Sequence, residues 1–267
     1  MATRLDLNYD VQQEALRKQM TLYVLGMFVA LDNYRDVDAA KFVTQVVPRI
    51  ESGQRQMAML TDAYMARSVG QLLAQAAVRG IASYATTLAL RGIAGEQVFQ
   101  RPFASVHSEL AKGATMTTAV NAGRDRLRSL VTTGLQLSKT HAANRAMERA
   151  GIEQYQRVLT GRENCSLCVI ASTQRYRVGR LMPIHPGCDC GVRPLPGGSD
   201  EQVINPTRLE SIHSAITAEF GDTDRAARYI DGGKESGDYT DLLVTYEHSE
   251  LGPTLAWRDQ HHTVLTP

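Results

Sequence analysis

Proline is scarce over most of this chain of 267 residues, and long apolar runs are missing. Only Pro48 and Pro102 lie in the first 182 residues, whereas the other seven of the nine prolines fall between Pro183 and Pro267. Because proline breaks helix interiors, the first part permits long helices, and the last third is expected to be rich in loops. The longest apolar run, residues 22–31, is far shorter than the roughly 20 residues that a membrane-spanning helix needs. The sequence therefore predicts a soluble intracellular protein with no membrane partner.

Neither sign of charge is in excess overall, but the two signs are unevenly distributed. Residues 1–198 carry 24 basic and 15 acidic side chains, a net charge of +9, and residues 199–267 carry 5 basic and 13 acidic side chains, a net charge of −8. The ordinary balance of apolar and charged residues excludes a wholly disordered chain. We expect three parts: a helical body over 1–150, a cysteine/histidine module over 151–198, and an acidic C-terminal region over 199–267 with one helix.

The first 150 residues are predicted to be mostly helical, because apolar residues recur there at steps of three and four. The expected helices run from near Asp10 to Leu31, from Asp36 or Asp38 to a kink or end at Pro48, over the steps at Met57, Leu60, Tyr64 and Met65, from Pro102 to Gly113, and through residues 115–150. The first of them is expected to be buried, since it is apolar on most sides after Thr21. The Ala- and Gly-rich residues 70–97 are compatible with either tightly packed helix or loop.

The pattern changes after Gly151. A short strand is expected around Tyr155, Val158 and Leu159 and ending at Gly161, with Tyr176 and Val178 as its partner strand. Further along the chain, the sequence predicts a helix from Pro206 to Gly221 and short strands at residues 244–246 and 263–265. The expected fold class is mainly α: an elongated helical N-terminal body, a small α+β zinc-binding-like module and a loop-rich tail.

Basic side chains are concentrated near the end of the helical body. Between Arg124 and Arg157 there are seven Lys and Arg residues and three acids. One interpretation is a solvated helix face. The other is a surface that meets nucleic acid or an acidic partner.

All four cysteines lie close together, and a histidine lies among them. Cys165 and Cys168 form a Cys-x-x-Cys pair, and His185-Pro-Gly-Cys188-Asp-Cys190 follows after a gap. Two such pairs at this separation indicate a zinc site in an intracellular protein, because each short spacer turns thiolates toward one point. Structural zinc takes four ligands, so one of the five candidates is not a ligand. A disulfide and a reduced thiol cluster are the alternatives, and the chain shows no catalytic residues that we can identify.

The cysteine region resembles the C-terminal signature of MuF-like minor capsid proteins, which are head morphogenesis proteins of tailed bacteriophages. The resemblance is carried by Tyr155-Gln-Arg-Val-Leu-Thr-Gly161, Asn164-Cys165-Ser-Leu-Cys168, Tyr176, Gly179, and Met182-Pro-Ile-His-Pro-Gly-Cys-Asp-Cys190 with Val192 and Pro194. It covers about 40 residues and combines a strand with two ligand pairs in order.

The resemblance implies a structural virion protein rather than an enzyme. Such proteins associate with the portal protein and other head proteins, enter the capsid from the host cytoplasm during assembly, and in some cases contact packaged double-stranded DNA. Two other functions stay open from the residues themselves. One is a zinc module that binds nucleic acid through Arg162, Arg175, Arg177, Arg180 and Arg193. The other is a zinc-dependent hydrolase or nuclease, which lacks an identifiable general base beside the cysteines.

Overall fold

The computed structural model describes residues 3–70, 83–159, 172, 175–178, 190–197, 243–248 and 252–257. Its helices are α1 (Arg4–Val29), α2 (Asp36–Ser68), α3 (Thr87–Arg91), α4 (Gly95–Ala111) and α5 (Met116–Arg149). Its strands are β1 (Gln154–Val158), β2 (Arg175–Arg177), β3 (Gly191–Leu195), β4 (Leu243–His248) and β5 (Gly252–Trp257). The protein is mainly helical, as the sequence predicts. It also has a small three-stranded antiparallel sheet, in which β3 is a strand that the sequence does not predict.

Helix α1 begins at Arg4, ahead of the expected start near Asp10, because the residues at its N-terminus cap it. The Thr3 Oγ1 accepts a hydrogen bond from the Asp6 backbone N–H at 3.2 Å, and the Asp6 carboxylate accepts one from the Thr3 N–H at 2.6 Å. This reciprocal arrangement is a capping box, which satisfies two backbone donors at the start of a helix.

The expectation that α1 is buried after Thr21 is wrong. Val24 and Phe28 are fully buried, but Leu22 and Val29 are 61% and 51% exposed. Only one stripe of the helix therefore packs against the core, and apolar side chains are left in contact with solvent.

Helix α2 runs through Pro48, so two helices that were expected to be separate are one. Val46, Val47 and Ile50 around the proline are at most 6% exposed. Burying one such side chain contributes about 1.5–3 kcal/mol, whereas proline in a helix interior costs about 3 kcal/mol. Burial on both sides of Pro48 therefore outweighs the lost hydrogen bond. The helix starts after Arg35, and the Asp38 carboxylate accepts from the Arg35 N–H at 3.2 Å, so neither expected N-cap is used.

Helix α4 likewise begins before its proline, at Gly95, rather than at Pro102 as expected. Val98, Phe99 and Val106 are fully buried, so the apolar stripe extends on both sides of Pro102. The expected end is confirmed, since the helix stops at Ala111 and Gly113 has a positive φ of 84°.

Helix α5 matches the prediction over residues 115–150 most closely. The Thr115 Oγ1 accepts from the Thr118 N–H at 3.2 Å at its start, and Gly151 with a φ of 66° follows its end. The expected apolar stripe is buried, with exposures of 5% or less at Leu127, Leu130, Val131, Leu135, Ala142 and Ala146.

The helices share a core centred on aromatic rings. Phe28, Phe42, Phe103 and Tyr34 form a cluster in which five pairs of rings are in contact, with centroids between 5.1 and 6.0 Å apart. Helices α4 and α5 approach each other closely at Gly123, where a Cβ atom would lie 2.8 Å from the Pro102 carbonyl oxygen.

The expected pairing of the first strand is confirmed, because Tyr155 on β1 lies opposite Tyr176 on β2. Strand β3 pairs with the other side of β1, which gives the order β2-β1-β3. Strand β4 includes the expected strand at residues 244–246, and it pairs with β5, which the sequence analysis does not predict. The strand expected at residues 263–265 and the helix expected from Pro206 to Gly221 lie outside the described residues.

The chain divides into two compact units. Residues Leu7–Ala146 form one unit, and the described parts of Met1–Asp6 and Met147–Pro267 form the other. The expected boundaries at residues 150 and 198 stay a prediction, and residue 198 lies outside the described residues. None of the helices that the structure describes is long and apolar enough to cross a membrane.

Candidate functional site

Most of the candidate metal ligands lie outside the described residues. These are Cys165, Cys168, His185 and Cys188. Cys190 is described: it directly precedes β3 and is 5% exposed. Within the described ranges, no group of three or more His, Cys, Asp and Glu side chains is placed to hold a metal ion. The surroundings of Cys190 are therefore the part of the predicted site whose chemistry the structure describes.

Strand β1 lies at the centre of the sheet and brings distant parts of the signature together. Tyr155 lies opposite Tyr176 on β2 and opposite Pro194 on β3, and Arg157 lies opposite Val192 on β3. Side chains alternate between the two faces of a strand. These five residues therefore share one face, which we call the signature face.

A buried arginine contacts the sulfur of Cys190 at the edge of the signature face. The Arg157 Nη1 donates a hydrogen bond to the Cys190 Sγ at 3.4 Å, and Arg157 is only 3% exposed. The same guanidinium lies over the ring of Tyr176, 5.6 Å from its centroid. Arginine keeps its positive charge in proteins. Its neighbours therefore have to stabilise a buried cation.

Two tyrosines complete this environment. The rings of Tyr155 and Tyr176 are stacked, with centroids 5.2 Å apart and an angle of 19° between their planes. Burial raises the pKa of Tyr155 above its ordinary value of 10.0, and the charge of Arg157 acts in the opposite direction. Because Tyr155 stays neutral, it supplies no negative charge to balance Arg157.

The surroundings of Cys190 fit a metal-bound thiolate. A thiolate, and not a neutral thiol, is the form that binds zinc. A guanidinium donor beside the sulfur favours the anionic form, because the two charges attract in a site that excludes water. Residues that donate hydrogen bonds to metal ligands orient them and tune their basicity. Arg157 has the geometry for that role toward Cys190.

The opposite face of the sheet carries an ion pair that the sequence does not predict. Asp6 is 2% exposed and pairs with the Arg193 Nη2, and the Arg193 Nε donates to its other oxygen at 3.4 Å. The same carboxylate accepts the Thr3 N–H in the capping box. This pair ties the start of the chain to β3. The capping box was readable from Thr3 and Asp6, but nothing local in the sequence indicates a partner 187 residues away.

The basic side chains between Arg124 and Arg157 do not form one continuous charged face. Arg157 is buried in the sheet, Arg128 pairs with Asp125 at 3.1 Å, and the Arg145 guanidinium lies over the ring of Tyr84, 4.5 Å from its centroid. Some of these basic side chains therefore make contacts within the chain and are not available to a partner. Arg124 forms no ion pair with any residue in the part of the chain that the structure describes.

No family model matches this chain, and neither a curated protein nor a solved structure matches it. Function is therefore inferred from the sequence motifs and from the geometry of the described residues.

Proposed function

We propose that this protein is a MuF-like minor capsid protein, a structural virion component that acts at the portal vertex during head assembly of a tailed bacteriophage. The supporting observation is the signature face. Tyr155, Tyr176, Val192 and Pro194, which are distant in sequence and carry the resemblance, lie together on one face of one sheet, and Cys190 contacts the same face. A chance likeness spread along the chain would give no reason for these positions to meet.

The proposed role is structural and not enzymatic. The proposed metal is zinc, held by four of Cys165, Cys168, His185, Cys188 and Cys190. When bound, zinc cross-links the segment before β2 to the segment before β3, which stabilises a module with a small hydrophobic core. Arg157 positions Cys190 and favours its thiolate form.

The role in assembly is tested with purified virions of a phage that encodes this chain. We expect the intact chain in the particles at a copy number far below that of the major capsid protein, with density at the portal vertex when portal symmetry is relaxed in electron cryomicroscopy. Genes for a portal protein upstream and for scaffold and major capsid proteins downstream are expected as well. A chain that is abundant in infected cells but absent from heads and virions would contradict the proposal.

The zinc site is tested by metal analysis of full-length protein prepared under reducing, chelator-free conditions. We expect about one zinc per chain. Replacing Arg157 with Gln should lower zinc affinity by about 10- to 100-fold, which is the usual effect of removing a residue that hydrogen-bonds a ligand. Arg177→Gln is the matched control, because Arg177 is exposed on the neighbouring strand. No zinc in the parent protein, or equal affinity in the two variants, would contradict the assignment.

Nucleic-acid binding by the same module is the second candidate. Arg175 and Arg177 lie on β2, at an edge of the sheet, opposite Gln156 and Gln154. They therefore share a polar face. Arg193, which the sequence analysis groups with them, is paired with Asp6 instead. A nucleic-acid function predicts that duplex binding weakens by orders of magnitude between about 50 and 200 mM salt and that Arg177→Gln reduces the salt dependence.

A further inference from the structure

A groove lies between α1 and α5 within the helical unit Leu7–Ala146. Its volume is about 490 Å³, and its walls are formed by residues of the two helices. Two of the apolar side chains that α1 leaves exposed, Leu22 and Val29, line this groove. The sequence predicts burial for both, but within the described residues they are 61% and 51% exposed.

The floor of the groove is apolar and has a notch. Leu25 and Gly26 each lie three or four residues from both Leu22 and Val29, so the four residues form a single stripe along α1. A Cβ atom at Gly26 would have no neighbour within 4 Å. The side chain of another molecule can therefore approach the α1 backbone closely at this point.

The rim of the groove is positively charged. Arg17, Lys18, Arg124 and Arg128 line it, against a single acid, Glu14. Glu14 is paired with Arg17. Lys18 and Arg124 form no ion pair with another residue in the described ranges. The groove therefore offers an apolar floor and unbalanced positive charge at its edges.

We propose that this groove binds an amphipathic helix of a partner protein, with an apolar stripe that enters the groove and acidic residues on both flanks. A helix presents apolar anchors at steps of three and four, which is the spacing of the floor of the groove. Acidic flanks complement Lys18 and Arg124. Nucleic acid is the weaker fit, because phosphates would gain from the rim but would leave Leu22 and Val29 without apolar contacts. This inference does not depend on the proposed role in a virion.

The first test uses the full-length protein and two labelled peptides of 18 residues in fluorescence anisotropy. One peptide has Leu at helical steps and Glu elsewhere, and the other has the same Leu pattern and Lys elsewhere. We expect micromolar binding of the Leu/Glu peptide, as is usual for small interfaces, and no binding of the Leu/Lys peptide. The double variant Lys18→Glu with Arg124→Glu should invert this preference, because it reverses the charge of the rim. Equal binding of both peptides by the parent protein would overturn the proposal.

The second test fills the groove. Gly26→Leu places a side chain where there is open space, so the protein should stay folded and its affinity for the Leu/Glu peptide should fall by about tenfold or more, the loss of one good apolar contact. Ala15→Leu is the matched control, since Ala15 is exposed on α1 and does not line the groove. Circular dichroism confirms folding of both variants. Unchanged affinity in Gly26→Leu would overturn the proposal, and so would a DNA duplex that displaces the peptide and binds both variants equally, which would assign the surface to nucleic acid.

Discussion

Replacing Gly123 with alanine tests the close approach of α4 and α5. A Cβ atom at this position would lie 2.6 Å from the Val106 Cγ2, 2.8 Å from the Pro102 carbonyl oxygen and 3.0 Å from the Phe28 Cζ. The valine and phenylalanine side chains are buried, and the carbonyl is part of the backbone. None of these atoms moves away freely, so the helices have to separate to admit a methyl group.

The sign of the effect follows from two opposing contributions. Alanine is favoured over glycine in a helix interior by about 0.8–1 kcal/mol. Overpacking of a tight core typically costs about 1–3 kcal/mol, and three contacts at or below 3.0 Å put Gly123 at the upper end of that range. We therefore expect Gly123→Ala to lower the free energy of unfolding by about 1–2 kcal/mol.

Gly26→Ala is the matched control, because it makes the same chemical change where nothing lies within 4 Å. Only the helix preference acts there, so its free energy of unfolding should rise by up to about 1 kcal/mol. Urea unfolding followed by circular dichroism at the helix band measures both changes. If both variants gained stability equally, α4 and α5 would not be in contact at Gly123, and the packing that the structure shows there would be wrong.

Two further predictions concern ionisable side chains. Arg193→Ala should lower the free energy of unfolding by about 3 kcal/mol, because it leaves the buried Asp6 carboxylate without its partner. The pair lost in Asp6→Ala should cost less, because the Arg193 side chain is 21% exposed and water still reaches its charge, and the double variant should lose less than the sum in urea unfolding. Thr3→Ala, which removes only a cap, should cost about 1 kcal/mol. Burial, and to a smaller extent the charge of Arg145, lower the pKa of His141 below its ordinary value of 6.5. The unfolded state therefore binds this proton more tightly than the folded state does. The free energy of unfolding should fall as the pH drops through about 6.5. His141→Gln should remove that part of the pH dependence, and an unchanged profile would contradict the reasoning.

The sequence indicates helices well where a cap, an apolar stripe and a glycine stop agree. Helix α5 has all three, and its bounds match the expectation to within a residue. Pro48 and Pro102 lie inside helices although proline usually ends or starts one, because apolar residues on both sides of each proline are buried. The energy that carries α2 through Pro48 comes from packing against other helices, and no short stretch of sequence contains that information.

The candidate site divides in the same way. The opposed positions of Tyr155 and Tyr176 follow from spacing and strand preference, so they were predictable. The contact from Arg157 to Cys190 depends on the register of β1 against β3, across 33 residues. Because side chains alternate along a strand, the sequence places Arg157 on the same face as Tyr155. Only the register of β1 against β3 places the Cys190 sulfur beside Arg157. The apolar residues of α1 show another limit of the sequence. Their hydrophobicity predicts burial, but it does not show which face of the helix is left uncovered by the described residues.

Because the signature face is largely buried, the residues that carry the resemblance have a role in folding, and binding of a partner has to be assigned to other residues. Tyr155 and Val192 are at most 6% exposed, so neither offers much surface to another protein. A partner that touches only solvent-exposed atoms gains little from them, and their part in the fold is to hold the sheet together. If the protein acts at the portal vertex, recognition has to use exposed residues elsewhere. The groove at Leu22 and Val29 combines exposed apolar area with the positive charges of Lys18 and Arg124, which form no ion pair with the described residues. That combination gives both affinity and selectivity at interfaces. The two proposals therefore predict that variants in the sheet affect zinc content and folding, whereas Gly26→Leu affects association and leaves the zinc content unchanged.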